Sequence, residues 1–289
     1  MSDSQVVLQR KLASAGDLKS VVRTMKAMAA ASITQYETAL QSLDAYYATV
    51  RSGLSVCLRA EAKSVAHADR AGSTCVVVFG SDQGLVGQFN ENMLQFVRSS
   101  LSDWPRRHII WPVGQRLRAS LEQDSAAAPY FSLPAGISVV GELVAALLIE
   151  IEAQRARGEL SEVLLFYHQL QTNASSTPTL QRLLPLDQSW RAELLASPWP
   201  GQNVPALLNA SALSLRACVS EYLYVSLFRA CVASLASENA SRLSAMQRAE
   251  KNIEELSRDL TRELQQLRQS SIDEELFDLI AGFEALNHR

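Results

Sequence analysis

At 289 residues, with 47% hydrophobic and 20% charged side chains, the chain is long enough to bury a sizeable core and too apolar to be disordered. A formal net charge of −3 argues against wrapping a nucleic acid electrostatically. Cys57, Cys75, Cys218 and Cys231 are widely spaced with no CxxC, which argues against a zinc site or a disulfide framework and for reduced thiols.

The first residues, MSDSQVVLQRKL, hold no apolar run of signal-peptide length. The most apolar stretch, Leu143 to Ile149, is too short to span a bilayer. The expectation is a soluble intracellular protein with no transmembrane segment. Leu18, Val22, Met25, Ala29, Ser32, Tyr36, Leu40, Leu43, Tyr47, Val50 and Leu54 then recur at steps of three and four. That spacing predicts a long helix, roughly residues 4 to 60, with a seam that another helix buries by supercoiling.

The middle of the chain reads differently. All nine prolines fall between Pro105 and Pro205, the four tryptophans lie between Trp104 and Trp199, and nine of twelve glycines fall between Gly72 and Gly201. Ser73 to Phe79 and Glu162 to His168 are near-continuous apolar runs, and His108 to Trp111 is a weaker one ended by Pro112. Runs of this kind suit strands buried on both faces. Helical patterns over Asn90 to Ser100 and Gly141 to Arg157 lie between them. Strand, helix, strand predicts a mostly parallel, Rossmann-like α/β domain inserted between two rods.

The loop Gly80-Ser-Asp-Gln-Gly-Leu-Val-Gly87 stands where a phosphate-binding loop would sit, after a strand and before a helix. It lacks both the G-x-G start of a dinucleotide fingerprint and a G-K-[ST]. Gly80, Asp82, Gly84 and Gly87 are therefore read as a structural loop, a tight corner using glycine's backbone freedom. His67, His108, His168 and His288 are scattered, with no second ligand at metal spacing. No G-x-S-x-G or H-E-x-x-H occurs. Neither catalytic residues, nor a cofactor, nor a metal are expected.

From Ala206 to Ala281 there is neither glycine nor proline. Their absence permits one helix of roughly 75 residues, about 110 Å long at 1.5 Å per residue. Met246, Ala249, Ile253, Leu256, Leu260, Leu264 and Leu267 form its seam, with charges of alternating sign between them. Those charges read as a solvated face, with Glu254 and Arg258 spaced as an i,i+4 pair. The expected domains are a coiled-coil helix over 1–70, an α/β base over 71–204 and a second coiled-coil helix over 205–289.

Several segments jointly carry a resemblance. LKSVVRTMKAMAAAS (residues 18–32), GSDQGLVGQFN (80–90), YHQLQTN with TPTLQRLLPL (167–173 and 177–186), ASENASRLSAM (236–246) and RQSSIDEELFDLIAG (268–282) resemble, in order and spacing, the gamma-subunit family of F-type ATP synthases. YHQLQTN with TPTLQRLLPL resembles that family's late strand and the loop after it. Gln83, Gln88, Asp273, Phe283 and Gly16-Asp-Leu18 depart from the family pattern, and resemble a divergent branch of the alternate or sodium-pump type.

The resemblance implies a central shaft, an antiparallel coiled coil inside a ring of three alpha and three beta subunits. Its base would touch the epsilon subunit and the membrane c-ring, at the cytoplasmic face of the inner membrane. It implies a non-catalytic subunit that couples ion flow to ATP synthesis or hydrolysis by rotation. By resemblance, Met25 and Lys26 on one helix, and Arg268, Gln269 and Glu275 on the other, lie where the shaft meets beta-subunit loops. A non-rotary scaffold with an inserted α/β domain explains the heptads equally well, but not the matched segments.

Overall fold

A computed structural model describes residues 3–60, 72–104, 107–121, 129–171, 176–186, 188–197, 199, 202–203, 205–207 and 211–287, and side chains up to residue 281. His67, His288, Phe283 and the expected boundaries at 70, 71 and 204 lie outside the described residues or side chains. The elements in chain order are α1 (Asp3–Ala60), β1 (Ser73–Phe79), α2 (Phe89–Leu101), β2 (His108–Val113), α3 (Gln115–Leu121), α4 (Ile137–Ala156), β3 (Leu160–Leu170), β4 (Ser176–Leu184), α5 (Gln188–Ala196) and α6 (Ser211–Asn287). Two compact units emerge, one of Met1–Met28 with Leu243–Arg289, the other of Ala29–Arg242.

The larger unit is built on a four-stranded sheet in the order β2-β1-β3-β4. β1 pairs in parallel with β2 and β3, and β4 runs antiparallel to β3. Alternation along each strand sorts side chains between two cores. Cys75, Val77 and Phe79 of β1, with Val163, Leu165 and Tyr167 of β3, join α4, the end of α1 and the start of α6. Val76, Val78, Leu164 and Phe166 face the opposite way, onto Met93, Val97 and Leu101 of α2 and Leu117 and Leu121 of α3. Both faces are covered, which is why β1 and β3 are continuously apolar. Each fully buried side chain of this size contributes about 1.5–3 kcal/mol.

Two expectations about strands are corrected. β2 does not stop before Pro112 but runs through it to Val113. Residues 177–184, expected to form a loop, are strand β4, with Pro178 inside it. Both strands lie at the two edges of the sheet, where a missing N–H removes no ladder bond from the interior.

The seams also gain detail. Ala29, Tyr36, Val50 and Leu54 are buried, as are Met246, Leu260 and Leu264. Leu18 and Leu256 are instead exposed, at 57% and 53%. α6 contains an 18-residue window of mean hydropathy 1.2, apolar enough for a membrane span by composition, and 61% of that window is buried inside the fold. Tyr222, Leu223, Val225, Leu227 and Val232 of α6 belong to the main core. Core packing accounts for that apolarity.

Gly114 makes a sharp corner after β2. Its φ of +114° is closed to most side chains, and an added Cβ would lie 2.9 Å from the Ser81 carbonyl oxygen. Gly114→Ala should therefore destabilise the larger unit by about 1–3 kcal/mol. Urea unfolding of the variant beside the wild type checks this, and equal midpoints would contradict it.

Candidate functional site

In the smaller unit, charges on α1 reach across to α6. Lys19 Nζ lies 2.8 Å from Glu254 Oε1, and Arg23 Nε donates to Glu250 Oε1 at 2.8 Å. Lys26 Nζ donates to the other carboxylate oxygen of Glu250. The numbers climb on α1 as they fall on α6, so the helices run antiparallel. Leu8 packs with Leu260 and Leu264, flanked by Leu12 and Leu267, further along the same seam.

The charge run is a solvated face at Arg248, Lys251, Glu255, Arg258, Asp259, Arg262 and Glu263, which are exposed, and departs from that reading at Glu250 and Glu254. Glu254, expected to pair with Arg258, gives its carboxylate to Lys19, while Arg258 Nε donates to the Glu254 backbone carbonyl at 3.3 Å. The signal for this was present in the sequence. Lys19, Arg23 and Lys26 flank one seam and Glu250 and Glu254 flank the other, as complementary charges beside a coiled-coil interface do.

Hydrogen bonds from Lys26 and then Arg23 lower the Glu250 carboxyl from 4.5 to about 2, and the hydrogen bond from Lys19 holds the Glu254 carboxyl below its ordinary value. A lowered folded value means that this stabilisation is complete above pH 4.5. It is lost as pH falls from 4.5 through about 2. Glu250→Gln should therefore weaken the smaller unit at pH 7, and the difference from wild type should shrink toward pH 2. Unfolding midpoints across that range test it. A difference that does not change with pH would contradict the pairing.

Of the five residues expected at partner contacts, the structure brings Met25 and Lys26 together on α1 and leaves the other three elsewhere. Met25 is half-buried, and Lys26 is engaged with Glu250. Arg268, Gln269 and Glu275 are exposed on α6. Arg268 is eighteen residues beyond Glu250, about 27 Å along the helix. Seven residues separate Arg268 from Glu275, which puts both on one helix face. From Ile272 to Ala281 every residue is exposed, including Ile272 and Phe277 at 65% and 68%, with Leu276, Leu279 and Ile280. This apolar surface faces no other part of the described chain.

In the larger unit the 80–90 loop is a closed hydrogen-bonded corner. The Ser81 N–H donates to Asn90 Oδ1 at 3.0 Å, and Asn90 Nδ2 donates to Ser81 Oγ at 2.8 Å. Asp82 Oδ1 accepts the N–H of Gln115 at 2.7 Å, and the N–H of Arg116 reaches the Ser81 carbonyl at 3.0 Å. Gly80 lets Leu117 approach, since a Cβ there would meet Leu117 Cβ at 2.5 Å. Arg116 lies over Gly84. Left-handed backbone falls on Leu85 and Gly87 rather than on Gly84. The polar groups of this loop are turned on one another.

His168, near the end of β3, stacks on Phe89 with ring centroids 3.9 Å apart, and burial lowers its imidazole to about 4. It is therefore neutral at pH 7. Glu238 of α6 is raised by burial, against the pull of its ion pair with Arg242. Among the described residues, no group of three or more His, Cys, Asp or Glu is placed to hold a metal. What the surface offers is contact, in the ladder on the helix pair and in the bare end of α6.

A family model described as ATP synthase matches residues 4–286. The ATP synthase gamma chain of Syntrophus aciditrophicus (strain SB) is 26% identical over 294 residues, covering 96% of this chain and 97% of that one. That of Anaeromyxobacter dehalogenans (strain 2CP-C) is 29% identical over 291 residues, covering 96% and 98%. Among solved structures, the rotor of the Euglena gracilis mitochondrial ATP synthase superposes with a TM-score of 0.68 at 17% identity, over 93% of this chain and 99% of that one. The central stalk and c-ring structure from Tetrahymena thermophila gives 0.56 at 21%, over 79% and 99%. At these identities the structural likeness concerns the fold.

Proposed function

The chain belongs to the ATP synthase family as a gamma chain, the central-stalk rotor subunit of an F-type enzyme; from that premise we propose how it couples ion flow to nucleotide chemistry. The paired helices of residues 1–70 and 205–289 stand inside a ring of three alpha and three beta subunits. Residues 71–204 form the base, which meets the epsilon subunit and the membrane c-ring at the cytoplasmic face. One asymmetric rotor cannot contact three identical beta subunits alike. Each angular position favours a different conformation at each nucleotide site, by differential contact energy. The rotor contributes no catalytic side chain. Its work is mechanical.

The observation that carries this reading is the exposed apolar run from Ile272 to Ile280, an end of α6 that lacks a cover within the described chain. Arg268 and Gln269 just before this run, and Glu275 within it, meet the beta subunits, with Arg268 able to hold a loop carboxylate in bidentate fashion. Met25 and Lys26 provide a second contact zone further along the helix pair.

The purified chain should show no ATP hydrolysis. In the assembled complex, Arg268→Ala with Gln269→Ala should lower ATP turnover about tenfold, the scale of a lost charge-assisted contact. Measured turnover equal to wild type would remove these residues from the contact. ATPase activity of the chain alone would overturn the mechanical role.

A further inference from the structure

Two thiols face each other across the helix pair of the larger unit. Cys57 of α1 and Cys218 of α6 lie 161 residues apart in sequence, yet their sulfurs are 3.8 Å apart. Cys57 is buried and Cys218 is half-exposed, so Cys218 is the more accessible residue of the two. Gly53, one turn before Cys57, borders the same gap between the helices. The Cys218 sulfur lies 4.0 Å from where a Gly53 Cβ would stand.

The surroundings hold this juxtaposition in place. Tyr47 stacks on Tyr222 with ring centroids 5.7 Å apart, and Trp190 Nε1 donates to the Tyr222 hydroxyl at 3.1 Å. Arg59 donates to the backbone carbonyls of Leu195 and Ser197, and Arg51 pairs with Glu193 at 2.9 Å. Three helices, α1, α5 and α6, are thereby fastened around the two sulfurs. Cys75 and Cys231 differ from this pair. Both are fully enclosed, and burial pushes their thiols well up, which leaves them as packing groups.

We propose that Cys57 and Cys218 form an oxidisable pair that closes, under a peroxide, into a disulfide joining α1 to α6. The more accessible residue reacts first. The Cys218 sulfur attacks one peroxide oxygen, the O–O bond breaks, and Cys218 becomes a sulfenic acid with release of one water. The Cys57 sulfur then attacks Cys218, and the sulfenic hydroxyl leaves with the Cys57 proton as a second water. Two thiols lose two electrons and one peroxide gains them. The sulfurs close from 3.8 Å to about 2.05 Å by side-chain rotation. The bond fastens both helices of the larger unit to each other and is undone by a dithiol reductant.

The test uses the full chain, reduced, treated with hydrogen peroxide, and digested without reduction for mass spectrometry. The expected result is a peptide pair joined through Cys57 and Cys218, two hydrogens lighter than the free peptides. Both thiols should lose alkylation together and regain it after dithiothreitol. The oxidised chain should also unfold at a higher temperature than the reduced chain, since a long loop has been closed. Cys218→Ala, at the more exposed position, should abolish the linked peptide and the shift, and Cys57→Ser should do the same. If Cys57 stays alkylatable after peroxide, the proposal is wrong. It is equally wrong if Cys218 ends as a sulfinic acid or bridges two copies of the chain.

Discussion

Replacing Ala249 by proline should abolish ATP-driven ion transport by the assembled complex. Ala249 sits half-buried within α6, next to Glu250 and on the seam that α1 covers. Proline there removes an intrahelical hydrogen bond and drives its ring into the preceding turn, at a cost of about 3 kcal/mol or more. The kink displaces Glu250 from Lys26 and Arg23, so the ion-pair ladder is lost along with the helix. The larger unit, Ala29–Arg242, keeps its own core. Ion uptake by vesicles carrying the reconstituted complex, with helicity of the purified chain by circular dichroism, provides the measurement. Transport at the wild-type rate would show that a continuous α6 is not needed for coupling.

Ending the chain before Glu274 should weaken coupling while leaving the α/β unit folded. The truncation removes Leu276, Phe277, Leu279 and Ile280, all exposed on an uncovered stretch of helix, so it opens no cavity in either core. The larger unit should unfold at its usual midpoint. In the complex, ATP hydrolysis by the ring should persist, with fewer ions moved for each ATP consumed. The loss would come from apolar contact removed between rotor and ring, at about 1.5–3 kcal/mol for each side chain that the ring covers. An unchanged ratio of ions to ATP would place the coupling contacts elsewhere on the chain, and unfolding of the larger unit would mean that the tail supports the base.

Much of this arrangement could be read without coordinates. Glycine and proline are costly inside a helix, so the run free of both from Ala206 to Ala281 marks a helix within a few residues of its observed start at Ser211, and α6 continues through Gly282 to Asn287. β1 and β3 announced themselves as unbroken apolar runs, because both faces of each are covered. β4 did not. Its residues are half-buried around Thr179–Gln181, and Pro178 argues against a strand until its place at the sheet edge is known. α3, at seven residues, and α5, at nine, are too short for periodicity to separate them from loops.

The candidate site divides in the same way. The exposure of Arg268, Gln269 and Glu275 is compatible with their polarity and position, whereas Lys26 looks free in the sequence and is bound to Glu250 in the fold. Local spacing favoured Glu254 with Arg258, since neighbours on one helix are the only pairs that spacing can see. Lys19 wins because the antiparallel register brings it within 2.8 Å across the seam.

The sequence by itself determined the two long helices, the central strands and the lack of a phosphate-binding fingerprint, since each follows from local cost and periodicity along a single element. Only the tertiary structure decided the pairing of Lys19, Arg23 and Lys26 with Glu250 and Glu254, the facing of Cys57 and Cys218, and the placing of proline-bearing strands at the sheet edges. Each of these joins groups far apart in the chain, and their meeting depends on helix register and strand order, which periodicity within one element does not contain.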